Sequence, residues 1–196
     1  MYRIYETKGI VLETRPRGEA GASVTILTDK FGLVRAAAPG LRLSRSKLRF
    51  GLTTYSLSRL ALVRGRDGWR VTDAAAAANL FFGLRSRPDD MRLLERLFTL
   101  LKRLTPEEGG ESNLYRVICG AARFVLRHHL SPEKGRILEA LTALRILSEL
   151  GYGPEAEEFS TFFSRPSLGD RVLASFKPHL RRAYREINTA LRASQL

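Results

Sequence analysis

The sequence predicts an α+β multidomain protein, with a five-stranded β-barrel over residues 1–80 and an all-α helical domain over residues 81–196. Three observations lead there. β-Branched residues and turn signals crowd the first seventy positions, apolar spacing becomes helical after Asp73, and 196 residues suffice for two small domains with real cores. Apolar residues make up 44% of the chain, which is ordinary for a folded protein.

The strands are read in order. Gly9 to Arg15 alternates weakly around Ile10 and Leu12. Ala22 to Thr28 carries Val24, Thr25 and Ile26, side chains that suit a pleated surface. Asp29-Lys30-Phe31-Gly32 is a turn, and Leu33 to Ala38 is the next strand, closed by Pro39-Gly40. A longer strand runs from about Thr54 to Val63. Its alternation changes phase between Leu57 and Leu60, which predicts a bulge or bend. Arg66-Asp67-Gly68 is a hairpin turn into Trp69 to Thr72. Five short strands of this kind suit an OB-fold, the commonest five-stranded closed solution.

The helices follow. Ala74 to Phe82 is alanine-rich with Asp73 placed to cap it, and Gly83 to Pro88 is a linker. Leu94, Leu97, Phe98, Leu101 and Leu104 form an apolar stripe, and a further helix spans about Ser112 to His129. Ser131, Pro132 and Glu133 then make a clear helix start. Leu138, Leu141, Leu144 and Leu147 form the buried face of that helix, which Gly151 stops. The last helix starts near Pro178, with Leu180, Tyr184, Ile187 and Leu191 on one side.

Charge is the outlier. Thirty-three Lys and Arg against twenty Asp and Glu give a net +13, an excess that calls for an anionic partner. Residues 1–80 hold fourteen of the cations and six of the acids. From Lys30 to Arg66 there are nine cations (Lys30, Arg35, Arg42, Arg45, Lys47, Arg49, Arg59, Arg64 and Arg66) and no acid, whereas a solvated face normally mixes signs. The densest piece, Leu41 to Arg49, interleaves Arg and Lys with Ser44 and Ser46, all donors suited to phosphate. Phe31, Phe50, Tyr55 and Trp69 lie in the same region and are read as barrel core in preference to base-stacking surfaces.

Cys119 is the only cysteine, which excludes an internal disulfide and suits a reducing compartment; it is read as a buried, inert thiol. No apolar run approaches the ~18 residues of a membrane span, and the first residues carry charge where a signal peptide needs an apolar core. A cytoplasmic protein without a membrane partner is expected. His128 and His129 are adjacent and diverge on a helix, so they do not share a metal. Asp89-Asp90 and Glu107-Glu108 are helix-start acids. The phosphate-loop, HExxH and nucleophile-elbow patterns are all absent. Neither an enzyme nor a cofactor is expected.

Tyr5-Glu6-Thr7-Lys8-Gly9-Ile10-Val11-Leu12, Gly18-Glu19 and Gly32-Leu33-Val34-Arg35 resemble the opening of the RecO family of bacterial recombination mediators. Pro39-Gly40, the loop ending Ser46-Lys47-Leu48-Arg49, and Arg64-Gly65-Arg66 followed by Trp69 to Asp73 continue the match. Further on, Leu150-Gly151-Tyr152-Gly153-Pro154 resembles a family helix end. The resemblance implies an N-terminal OB-fold and a helical C-terminal domain in a bacterial cytoplasmic protein, at the nucleoid during repair. It further implies binding of single- and double-stranded DNA, annealing of complementary strands, and loading of RecA with RecR onto strands coated by single-strand-binding protein. Arg35, Arg42, Arg45, Lys47 and Arg49 carry over as DNA contacts, and Arg64 and Arg66 join them as candidates.

One departure concerns metal. Many members have a four-cysteine zinc site beginning C-x-x-C after the Leu-Gly-Tyr-x-Pro element. Here Phe159-Ser160-Thr161-Phe162 occupies that spacing, so the two rings are expected to fill the space apolarly, without zinc. The chain is also shorter than the usual member. On the last helix, Arg181, Arg182 and Arg185 are candidates for receiving the acidic tail of single-strand-binding protein. The alternatives are an OB-fold RNA-binding or ribosome-associated protein, and a basic adaptor for acidic protein tails.

Overall fold

A computed structural model describes residues 3–106, 113–154, 157–163 and 167–193. They form two compact units, one from the described residues of 1–83 and 106–115, the other from those of 84–105 and 116–196.

The first unit is built on five strands, β1 (Ile4–Arg17), β2 (Gly21–Thr28), β3 (Gly32–Ala38), β4 (Ser56–Gly65) and β5 (Gly68–Asn79). They close into a barrel in the order β1-β2-β3-β5-β4, the OB-like ring expected. β1 serves two neighbours. Its first part, Ile4 to Ile10, pairs with β4, and Gly9 to Arg17 pairs with β2 across a bulge between Val11 and Glu13. The ring is completed by a short parallel contact in which Ala36 pairs with Trp69 and Ala37 with Arg70. Inward positions fill the interior with Val11, Val24, Ile26, Val34, Leu60, Leu62 and Val71. Trp69 joins them, with Tyr5 and Phe31 against its ring at 5.4 and 5.1 Å between centroids.

The turns at Asp29–Phe31 and Arg66–Asp67 stand where the sequence puts them. Gly68, at φ +99°, supplies the left-handed residue the hairpin needs. The phase change expected in β4 does not occur, because Ser56, Ser58, Leu60 and Leu62 are buried in unbroken alternation. The irregularities lie on its partner, where Ala77 and Thr72 of β5 are the extra residues between the pairs Leu57–Ala78 and Ser58–Ala76 and the pairs Ala61–Asp73 and Leu62–Val71. A one-turn helix, α1 (Leu48–Gly51), follows the basic loop and packs on β5.

Ala74 to Phe82 does not form the expected capped helix. β5 continues to Asn79, and Asp73, Ala74, Ala75, Ala76, Ala78 and Asn79 pair with β4 residues from Ala61 back to Ser56. Alanine's helix preference is worth only about 0.5–1 kcal/mol per residue, and a neighbouring strand with open hydrogen-bonding groups overrides it. Only Leu80–Gly83 turns helical (α2).

In the second unit, α3 (Pro88–Leu104) buries Leu94, Leu97, Phe98, Leu101 and Leu104, as the stripe predicts. The segment before it is no loose linker. Leu84 is buried, and the Arg87 guanidinium donates to the carbonyls of Val125, Leu126 and His128 at 2.8–3.1 Å, at the end of α4 (Leu114–Arg127). Arg87 also lies 3.3 Å from the buried Asp90 carboxylate, whose pKa burial raises above the usual carboxyl value while Arg87 partly offsets the rise. Ser112, the expected start of α4, lies outside the described residues. Cys119 is buried within α4.

α5 (Pro132–Glu149) begins as predicted, with the Lys134 N–H donating to Ser131 Oγ at 3.3 Å. It is buried on more than the expected leucine face, since Ile137, Leu138 and every residue from Ala140 to Leu147 are inside. Neighbours α3, α6 (Glu157–Phe163), α7 (Asp170–Phe176) and α8 (Leu180–Ala193) pack around it. On α8 the buried residues are Ala183 and Ile187, while Tyr184 is part-exposed.

The seat of α1 is a close approach of two backbones. A Cβ on Gly51 would stand 2.4 Å from the Ala74 carbonyl oxygen. Gly51→Ala is therefore expected to destabilise the barrel by about 1–3 kcal/mol, the usual cost of forced overpacking. The helical Gly135, whose added Cβ meets only Leu93 at 3.6 Å, is the control and should gain about 0.5–1 kcal/mol as Ala. Urea unfolding checks both; equal midpoints for Gly51→Ala and wild type would contradict the contact.

Candidate nucleic-acid interface

Barrel closure decides which loops meet. Because β5 lies beside β3, the β4–β5 hairpin at Arg66–Asp67 comes next to Pro39-Gly40 and the β1–β2 turn. Between them is a groove of about 650 Å³, lined among others by Arg17, Ala20, Gly40, Arg66, Asp67 and Arg70. Three guanidinium groups face one carboxylate there. In five-stranded barrels of this type the β2–β3 face and the β1–β2 and β4–β5 loops form the oligonucleotide-binding side.

The predicted cations do not all behave alike. Arg66 lines the groove. Arg64 reaches back over the Trp69 ring, 5.5 Å from its centroid. Arg42 is a fastener: its side chain donates to the Gly18 and Glu19 carbonyls at 3.2 Å each, and its backbone N–H to Ala20 O at 2.9 Å. The basic loop is thereby tied to the β1–β2 turn. Arg35 stands on the outer face of β3, opposite Thr25 of β2. Arg45, Lys47 and Arg49 are exposed and take no carboxylate partner among the described residues. Sequence reasoning missed Arg17 and Arg70. The signal for them is positional, since each flanks one of the two loops that a five-stranded barrel brings together.

The aromatics divide. Trp69 and Phe31 pack inside, as expected, and Tyr55 is half-buried. Phe50 does not, with 84% of its surface exposed. It follows Arg49 at the end of the one-turn helix, where Gly51 and Leu52 take the inward positions.

In the helical unit, Arg182 is engaged by Glu158 at 3.0 Å and Glu186 at 3.8 Å. Arg181 and Arg185 are exposed, with no carboxylate partner among the described residues. Phe159 and Phe162 are buried against Phe176 and His179, with ring centroids 5.1–6.2 Å apart, so the two rings pack apolarly. The buried Arg145 donates from Nε to the Phe162 carbonyl at 2.9 Å, fixing the end of α6. His128 stacks on Phe124 at 4.4 Å, just past the end of α4. Among the described residues no group of three or more His, Cys, Asp or Glu is placed to hold a metal, and no helix is long and apolar enough to cross a membrane.

Residues 1–79 match the family described as "Recombination protein O N terminal". A protein of Heliobacterium modesticaldum named "DNA repair protein RecO" is 31% identical over 153 residues, covering 78% of this chain and 54% of that protein. One of the same name from a Nocardioides species is 30% identical over 155 residues, 79% of this chain and 62% of the relative. Another, from Acaryochloris marina, is 43% identical over 74 residues, 38% of this chain and 25% of the relative. The chain thus spans about half the length of the Heliobacterium relative. The matched stretch contains the barrel, its closing pairs, the basic loop and the groove, and residues 1–79 are thus an N-terminal domain of the RecO family.

Proposed function

We propose that the chain is a non-catalytic DNA-binding recombination mediator. It binds single- and double-stranded DNA without sequence preference, anneals complementary strands and, with RecR, helps load RecA onto strands coated by single-strand-binding protein. One observation carries the reading: the acid-free run of nine cations from Lys30 to Arg66 borders the groove at both Pro39-Gly40 and Arg66, and Arg17 and Arg70 join it there. The family's names, DNA repair and recombination proteins, agree with it.

The chemistry needs no bond-making step. Two complementary strands repel each other through their phosphates. A surface that neutralises both lowers that repulsion, raises the local concentration of pairing segments and releases condensed counterions. Guanidinium and ammonium groups on phosphate position a strand without reading its bases, so annealing of any sequence is served equally. In this scheme Arg45, Lys47, Arg49, Arg66, Arg17 and Arg70 touch phosphate, Arg42 holds the loop in place, and Arg35 and Arg64 extend the field.

The free pair Arg181 and Arg185 on α8 is proposed to receive the acidic tail of single-strand-binding protein, with Arg182 held in its own ion pairs. Charge reversal of both, Arg181→Glu/Arg185→Glu, should weaken tail-peptide binding at least about tenfold while DNA affinity stays near wild type. Unchanged peptide affinity in a titration would remove the site from α8.

For DNA itself, a salt series is the test. With about six phosphate contacts, single-strand affinity should fall with a log–log slope of roughly −4, and Arg45→Ala/Lys47→Ala/Arg49→Ala should make it shallower by about 2, at ~0.7 per contact. Annealing should fail in the same variant. Salt-insensitive binding, or a triple variant with the wild-type slope, would contradict the proposal.

A further inference from the structure

Among the described residues of the barrel unit, three large aromatic side chains stand in solvent: Phe50 with 84% of its surface exposed, Phe81 with 54% and Phe82 with 64%. We infer that they form a stacking platform for the bases of single-stranded nucleic acid, a second contact area beyond the groove. The inference rests on the DNA-binding reading above and gives it a single-strand-specific part.

Their placement is built. Ser56 Oγ donates to the Phe50 carbonyl at 3.5 Å and accepts from Asn79 Nδ2 at 2.9 Å, while Asn79 Oδ1 accepts from the Phe82 N–H at 3.3 Å. The end of α1 and the start of α2 are therefore only two side chains apart. Tyr55 braces the same corner. It holds φ +69°, a left-handed conformation costly for a non-glycine residue, while its N–H donates to Val11 O at 2.7 Å and its carbonyl accepts from the Leu80 N–H at 3.0 Å. Phe81 and Phe82 lie edge to face, centroids 5.8 Å apart.

Charge identifies the occupant. β5 begins at the groove and ends beside the patch, and the segment from Gly40 to Phe50 runs from one to the other. Arg42, Arg45, Lys47 and Arg49 lie along that segment, with no acid between Lys30 and Arg66. A polyanion with flat apolar faces matches a cationic track ending in exposed rings, and unpaired bases are such faces. A second copy of the chain would bring its own +13 and be repelled. In a duplex the base faces are already stacked, so the platform discriminates single from double strands.

The experiment compares the full chain with Phe50→Ala and with Phe81→Ala/Phe82→Ala, titrated with an oligothymidylate and with a duplex of equal length over a salt series. Each variant should lose about five- to a hundred-fold in single-strand affinity, the worth of roughly one stacked base. The salt slope and the duplex affinity should stay unchanged, and Phe50→Trp should retain binding. Single-strand affinity unchanged in both variants, or equal loss on single strand and duplex, overturns the platform. A dimeric wild type that becomes monomeric in the variants also overturns it, in favour of a protein contact. Salt-steep wild-type binding with unaffected variants sinks the platform alone, whereas a wild type that binds neither probe sinks the DNA reading beneath it. Photocrosslinking of the wild type to a 5-iodouracil strand is independent of variant folding: crosslinks at Phe50, Phe81 or Phe82 support the platform, and crosslinks confined to other residues overturn it.

Discussion

The pairing of Ala36 with Trp69 and of Ala37 with Arg70 turns an open sheet into a barrel, and most of the first unit depends on it. It is a short parallel contact in an otherwise antiparallel ring, and two alanines make it feasible by letting β3 and β5 approach. Closure removes the exposed edges that β3 and β5 would otherwise carry. It also brings together three stretches distant in sequence: the β1–β2 turn, Pro39-Gly40 and the β4–β5 hairpin. The groove exists because those three meet.

Electrostatics then acts on a surface already shaped. A net +13 strains a compact chain through self-repulsion, and the strain is tolerable only while the charges stay in water. The exposed placement of Arg45, Lys47 and Arg49 satisfies that, and Arg42 and Arg64, also exposed, are held at the surface by carbonyl oxygens and a ring face. Inside the helical unit the same logic is stricter. Arg87 and the buried Arg145 face carbonyl groups at helix ends, where the dipole favours a cation, and Arg87 also has the Asp90 carboxylate beside it. One residue type thus serves as exposed surface charge in one unit and as internal tie in the other.

Much of this was legible in the chain itself. The turns at Asp29–Phe31 and Arg66–Asp67 and the Ser131 cap rest on local chemistry that a short window contains. The errors came where distant residues decide. Ala74 to Asn79 looks helical alone and is a strand because β4 lies beside it. Phe50 looks like core and is exposed because Gly51 and Leu52 take the inward places. α6 and α7 carry few periodic positions and are held by packing on α5. Arg17 and Arg70 are unremarkable in sequence; only the order of strands makes them neighbours of Arg66.

The central claim is that the barrel's basic surface, and not the helical unit, carries nucleic acid. Hydrogen exchange of the full chain with and without a single strand tests it directly. Protection on binding should appear in residues 17–21, 39–50 and 66–70, with α3 and α5 unaffected. Protection confined to the helices, with those three barrel segments exchanging as in the free protein, would contradict it.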